Sequence, residues 1–167
     1  MYLQLQNIIY GFAFVLIFIS SALAEEHSAS DEVFLLTIFS EKDEILRKYS
    51  CEQLEALSAT KFKTSTIWTD GIHSFTGVSL LDLAKELGVE NGSFIAKAIN
   101  DYSVRIPVSD ATRNGPIIAY KKDGEKMSVR NKGPLWIIYP YDNNAKYQSE
   151  VIYSRSIWQL DSLKVTQ

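Results

Sequence analysis

A single cysteine, Cys51, excludes any internal disulfide, so the fold must stand on packing alone. Histidine is almost as scarce. His27 lies near the start of the chain, which leaves His73, and one histidine is a poor basis for a metal site. Basic excess is absent too: 17 Lys and Arg face 20 Asp and Glu, well mixed along the chain, which argues against nucleic acid as a partner. The sequence contains no H-E-x-x-H, C-x-x-C, phosphate loop, G-x-G-x-x-G or G-x-S-x-G, so the common zinc-hydrolase, dithiol, nucleotide and serine-hydrolase templates are missing. There is no repeat, low-complexity linker or second-domain boundary.

One long apolar run is present. Ile8 to Ala22 is nearly unbroken, and Ala22-Leu23-Ala24 supplies small residues at the −3 and −1 positions of a secretory cleavage site. The n-region MYLQLQN carries no Lys or Arg, and an uncleaved anchor is the alternative. The run is short for a span of roughly 20 residues. Residues 1–24 are therefore read as a signal peptide, and residues 25–167 as one domain of ordinary size, delivered to the periplasm.

The pattern of that domain is α+β, a mixed sheet of short strands with few helices. Val33 to Phe39 reads as a strand, Cys51 to Leu57 as a short helix, and Phe62 to Thr69 as a strand. In GVSLLDLAKELGV, Leu80, Leu83, Ala84 and Leu87 fall at i, i+3, i+4 and i+7, with Ser79 to cap the helix and Gly88 to stop it. Short strands follow at Phe94 to Ile99, Ser103 to Pro107 and Ile117 to Lys121. An Asp123-Gly124 hairpin then leads into Glu125 to Val129. Leu135 to Tyr139 reads as a strand buried on both faces, and Ser156 to Leu160 and Leu163 to Val165 close the chain.

Several polar clusters invite a functional reading, and each has a structural one beside it. Asp70 and His73 lie close together after a strand and before a helix, where function often resides, or else Asp70-Gly71 simply reverses the chain. Asn100-Asp101-Tyr102 interrupts an apolar strand with two polar side chains, which also describes a turn. Arg130 and Lys132 precede the buried strand and offer two cations to an anion, or form an exposed basic loop. Trp68, Trp136 and Trp158 serve as core or as ligand platform. Cys51, at a helix start, reads as a half-buried inert thiol.

The order of these pieces resembles the molybdopterin-binding domain of the sulfite oxidase superfamily. FTGVSLLDLAKELGV, then AINDYSVRIPVSD, then KGPLWIIYPYD and a closing IWQLDSLKV match that family's helix entry, "Y-x-x-x-I-P" strand and "G-P-L-W" strand in sequence. The likeness spans roughly Val33 to Val165 and is nearest to small, exported, single-domain members. It implies a sulfite-oxidase-like fold, and in catalytic members a cysteine thiolate on molybdenum beside the two sulfurs of the pterin. Counting back from Phe75-Thr76-Gly77, that slot falls at Ser65 or Thr66, and neither is a cysteine. Arg105, Arg113, Arg130 and Lys132 are the few cations available to grip a pterin phosphate.

Three functions follow as expectations. The first is a non-catalytic ligand-binding, sensory or accessory module with no cofactor. Its cleft is lined by Trp68, Asp70, His73, Asn100, Asp101 and Tyr102, with Arg130 and Lys132 at the mouth, and its ligand is small and anionic or zwitterionic. A membrane-bound sensor or redox protein is its expected partner. The second is a molybdopterin oxidoreductase with a hydroxyl or open ligand position. The third is a structural partner of a membrane complex.

Overall fold

The structure is a computed structural model that describes residues 33–166. The signal-peptide reading and His27 lie outside the described residues.

Two five-stranded sheets carry the domain. The first has the order β2-β1-β10-β5-β6, built from β1 (Phe34–Phe39), β2 (Ile45–Ser50), β5 (Ser93–Ala98), β6 (Ser103–Pro107) and β10 (Leu160–Thr166). β1 and β10 run parallel and the other pairs antiparallel, so the sheet is mixed. The second has the order β3-β4-β7-β8, from β3 (Ala59–Thr66), β4 (Thr69–Ser79), β7 (Ile117–Lys122) and β8 (Glu125–Lys126), with β9 (Trp136–Ile138) paired to β7. Buried side chains from both sheets form one hydrophobic cluster, among them Leu36, Phe94 and Leu163 of the first and Phe75, Ile118 and Trp136 of the second.

The helices are short and capped as the sequence indicates. Ser50 and Gln53 close a capping box on α1 (Cys51–Ala56), satisfying two orphan backbone donors reciprocally. Ser79 accepts from the Leu81 and Asp82 N–H groups at the start of α2 (Leu80–Glu86), which buries Leu80, Leu83 and Ala84. Gly88, at φ +66°, follows its end in the left-handed conformation that glycine adopts without strain. The strand expected at 135–139 is fully buried at all five positions, because sheet and aromatic side chains cover both its faces.

Three expectations are corrected, and one strand had no counterpart among them. β2 was not foreseen, because its first four residues are exposed and show no alternation. The strand expected over Phe62 to Thr69 ends at Thr66, and the chain reverses at Ile67-Trp68 rather than at Asp70-Gly71. Ser65 pairs with Ile72 and Thr66 with Thr69, so Asp70 and Gly71 are the extra residues of a bulge inside the long strand β4. The strand expected over Glu125 to Val129 stops at Lys126, and Val129–Asn131 is a 3-10 turn. Finally, no strand runs over Ser156 to Gln159, and Leu160 instead opens β10. A third helix, α3 (Glu150–Arg155), precedes this segment with Ser149 as its cap, and only Trp158 makes an isolated bridge, to Trp136.

Candidate functional site

At Ser65 and Thr66, the slot that the resemblance implies for a cysteine, the chain is bonded to itself. Ser65, near the end of β3, donates from its backbone N–H to Asp142 Oδ2 at 2.6 Å and from its hydroxyl to Asp142 Oδ1 at 2.7 Å. Asp142 N–H returns a bond to the buried Thr64 hydroxyl at 3.2 Å, and Thr66 Oγ1 shares a proton with Thr69 Oγ1 at 2.8 Å. The Ser65 hydroxyl and then its N–H hold the Asp142 carboxyl below the usual carboxylate range, as expected for an anion that accepts two such donors.

These residues do not fit a thiolate-ligated molybdenum. The only thiol belongs to Cys51, at the first position of α1, where it lies within hydrogen-bond reach of Glu55 at 3.5 Å. Serine and threonine hydroxyls ionise far less readily than a thiol, and molybdenum's soft partner here is missing. Among the described residues no group of three or more His, Cys, Asp or Glu is placed to hold a metal ion.

Beside this slot, the turn after β3 delivers Trp68 into an aromatic cluster. Its ring makes edge contacts with Trp136, Tyr141, Tyr153 and Trp158 at centroid distances of 5.6–6.4 Å. Each such contact contributes about 0.5–1.5 kcal/mol beyond the area it buries. On the outer side of the cluster lies a cavity of about 420 Å³, within the range of small-molecule sites. Trp68, Trp158, Tyr153 and Tyr102 wall it, Ala98 and Ile157 add apolar surface, and Asn100, Ser154 and Ser156 are its remaining polar residues.

The expected cleft is therefore brought together in part. Trp68, Asn100 and Tyr102 line one cavity, although more than 30 residues separate Trp68 from the other two in the chain. Lys132 stands against its wall, with Nζ 4.4 Å from the Trp158 ring centroid and 5.6 Å from that of Trp136. Asn100 accepts from the Tyr102 N–H at 3.3 Å, so this part of the segment is also the turn that joins β5 to β6.

Asp70, His73, Asp101 and Arg130 do not line it. His73 Nδ1 meets Asp123 Oδ2 at 2.6 Å and its Nε2 meets the Asp70 carbonyl oxygen at 2.9 Å, which leaves no ring nitrogen for a ligand. The histidine ties β4 to the hairpin between β7 and β8. The Ser74 N–H and then His73 hold the Asp123 carboxyl below its ordinary range. Asp101, in the left-handed region at φ +67°, pairs with Lys97 at 2.7 Å, and that lysine holds its carboxyl low. Arg130 is exposed on the 3-10 turn before β9.

The sequence did not reveal Tyr153, Ser154, Ser156 and Ile157 as residues of the cavity. All come from α3 and the segment after it. The one available signal was Ser149 before Glu150, a helix-cap pair too short a distance from the next turn to show a period. Behind them, Tyr141 donates to Ser156 Oγ at 2.5 Å, and burial pushes its phenol well above the ordinary range.

A family model described as an oxidoreductase molybdopterin binding domain matches residues 33–147. No curated protein matches the chain.

Proposed function

The chain belongs to the oxidoreductase molybdopterin-binding domain family, and from that premise we propose that it is an exported, non-catalytic module that binds a small anionic or zwitterionic molecule. It serves a membrane-bound sensor or redox protein as a sensory or accessory part. The observation that carries the reading is the aromatic-walled cavity of about 420 Å³ next to a ligand slot whose hydroxyls are already bonded to Asp142 and Thr69. Fold does not carry function with it, and this site has the shape of a binding pocket without the donor that defines the family's chemistry. Lys132 is the cation placed to meet an anionic group at the wall.

The oxidoreductase alternative requires Ser65 to give up its hydroxyl bond to Asp142 and to ionise beside a carboxylate, which like-charge repulsion opposes.

A thermal-shift screen of small organic acids and zwitterions, followed by calorimetry, tests the pocket. Trp68→Ala is expected to weaken a hit by about 2 kcal/mol, since removing a central aromatic anchor typically costs that much. His73→Ala, Asp101→Ala and Arg130→Ala should leave its affinity unchanged. Equal binding by Trp68→Ala and the parent would move the site elsewhere. Export rests on the Ala22-Leu23-Ala24 exit from the apolar run. Intact mass of chain expressed in a bacterial host should give a product beginning at Glu25, and recovery of the whole chain in the membrane fraction would contradict it.

A further inference from the structure

His73 meets an oxygen at each ring nitrogen, and both oxygens call for a donor. Nδ1 lies 2.6 Å from Asp123 Oδ2 in the turn between β7 and β8, and Nε2 lies 2.9 Å from the Asp70 carbonyl oxygen. A neutral imidazole carries one N–H and one lone pair, so it can serve only one of them. We propose that His73 is an acid-set tie: as the imidazolium it fastens the bulge of β4 to the β7–β8 hairpin, and on losing a proton it releases the bulge.

Asp123 does not supply the missing proton. Its other oxygen accepts from the Ser74 N–H at 2.9 Å, and that bond, then His73, hold the carboxyl below its ordinary range. The Nδ1 bond therefore has a charged partner in either state of the ring, which makes it the stronger of the two. The proton lost is the one on Nε2. A lone pair then faces the Asp70 carbonyl oxygen, and the two repel. Asp70 and Gly71 are the residues that the β3–β4 register leaves without partners, so the bulge depends on support from outside that register.

The other groups around the ring leave this balance in place. Lys122, from the hairpin, opposes a second cation, yet it is the weakest of the influences on Asp123. β3 sets Thr64, which does not titrate, opposite His73, and the Phe75 ring lies 6.4 Å away between centroids. The Asp70 carboxyl adds a further acid on the same strand. The His73 side chain is only 22% exposed, so water replaces a lost partner in part. The folded chain thus holds the second proton more tightly than the unfolded chain. The stabilisation is full below the ordinary histidine range and fades as pH rises. Asp70, His73 and Asp123 lie outside the aromatic cavity, so the tie acts on the fold and not on the ligand site.

The test records proton–nitrogen correlation spectra of the imidazole rings in the purified chain, with His73→Gln distinguishing His73 from His27. At about pH 6.5, where a free histidine is half neutral, His73 should still show two protonated nitrogens. In urea, His73→Gln should weaken the folding equilibrium about tenfold near pH 5.5, the scale of a hydrogen bond to a charged group, and the gap should narrow as pH rises to about 9. Asp123→Asn keeps an acceptor and removes the charge, so its His73 should titrate as a free histidine does. That variant keeps the test decisive should the glutamine variant fail to fold. A single neutral tautomer of His73 at about pH 6.5, or a urea gap that stays constant with pH, would overturn the inference and make the ring a neutral spacer.

Discussion

Gly77→Ala is expected to leave the domain unfolded, with loss of the cooperative thermal transition. Gly77 lies in the FTGVSL stretch where β4 crosses β7, pairing with Ala119 next to a register shift that leaves Tyr120 unmatched. A methyl group there would collide with the Ile118 carbonyl oxygen and carbon and with the Ala119 Cα. All three are backbone atoms of a strand whose Ile117, Ile118 and Ala119 are fully buried, so no side chain can swing aside. Relief requires the two strands to separate and their ladder to break. The cost exceeds the roughly 1–3 kcal/mol of ordinary overpacking and approaches about 5 kcal/mol, a large share of the stability of a domain this size. A folded Gly77→Ala protein with an unchanged midpoint would mean that β4 and β7 do not meet as described.

Asp110→Ala should be the next most damaging change, costing about 3 kcal/mol. One oxygen, Asp110 Oδ2, accepts from the Tyr139 hydroxyl at 2.7 Å and from Arg155 at 2.9 Å. The acid side chain is 15% exposed and the arginine 22%, so neither partner has ready access to water. Tyr139 is wholly buried, and burial followed by the Asp110 charge pushes its phenol far above the ordinary range. Alanine would strand a phenol and a guanidinium together, and the ion pair is what fastens α3 to the turn after β6. Because α3 carries Tyr153, ligand binding should weaken along with stability. Asp110→Asn keeps an acceptor and should lose clearly less. Urea denaturation of the two variants checks the order, and equal losses would mean that the charge, not the hydrogen bonds, holds the corner.

Much of this architecture was legible where local signals agreed. Ser79, the Leu80-Leu83-Ala84-Leu87 spacing and Gly88 marked α2 to within a residue, and the apolar density of Leu135 to Tyr139 announced a strand covered on both faces. Illegible parts have physical causes. β2 is an edge strand whose first four side chains face water, so it carries no alternating burial pattern to read. α3 spans six residues, less than two turns, and its Val151, Ile152 and Tyr153 favour strands by propensity. Asp70-Gly71 looked like the reversal because Asp-Gly is a common turn pair, but Gly71, at φ +76°, serves a bulge, and the chain reverses at Ile67-Trp68, where Trp68 packs into the aromatic cluster. The site divides in the same way. Trp68, Asn100 and Tyr102 converge because β3 and the β5–β6 turn meet one cavity, while His73 and Asp101 were claimed by Asp123 and Lys97, partners remote or local that composition does not rank.

The account's central claim is that this member of a molybdopterin-binding family keeps the cleft and has lost the metal chemistry. Its basis is specific: hydroxyls at Ser65 and Thr66 in the ligand slot, closed onto Asp142 and Thr69, with Cys51 on a different element. The most direct measurement is elemental analysis of the chain purified from a host that makes the molybdenum cofactor. Absence of stoichiometric molybdenum, together with no oxidation of sulfite in an electron-acceptor assay, is the predicted result. Near one molybdenum per chain would contradict it and establish a metal centre built without cysteine.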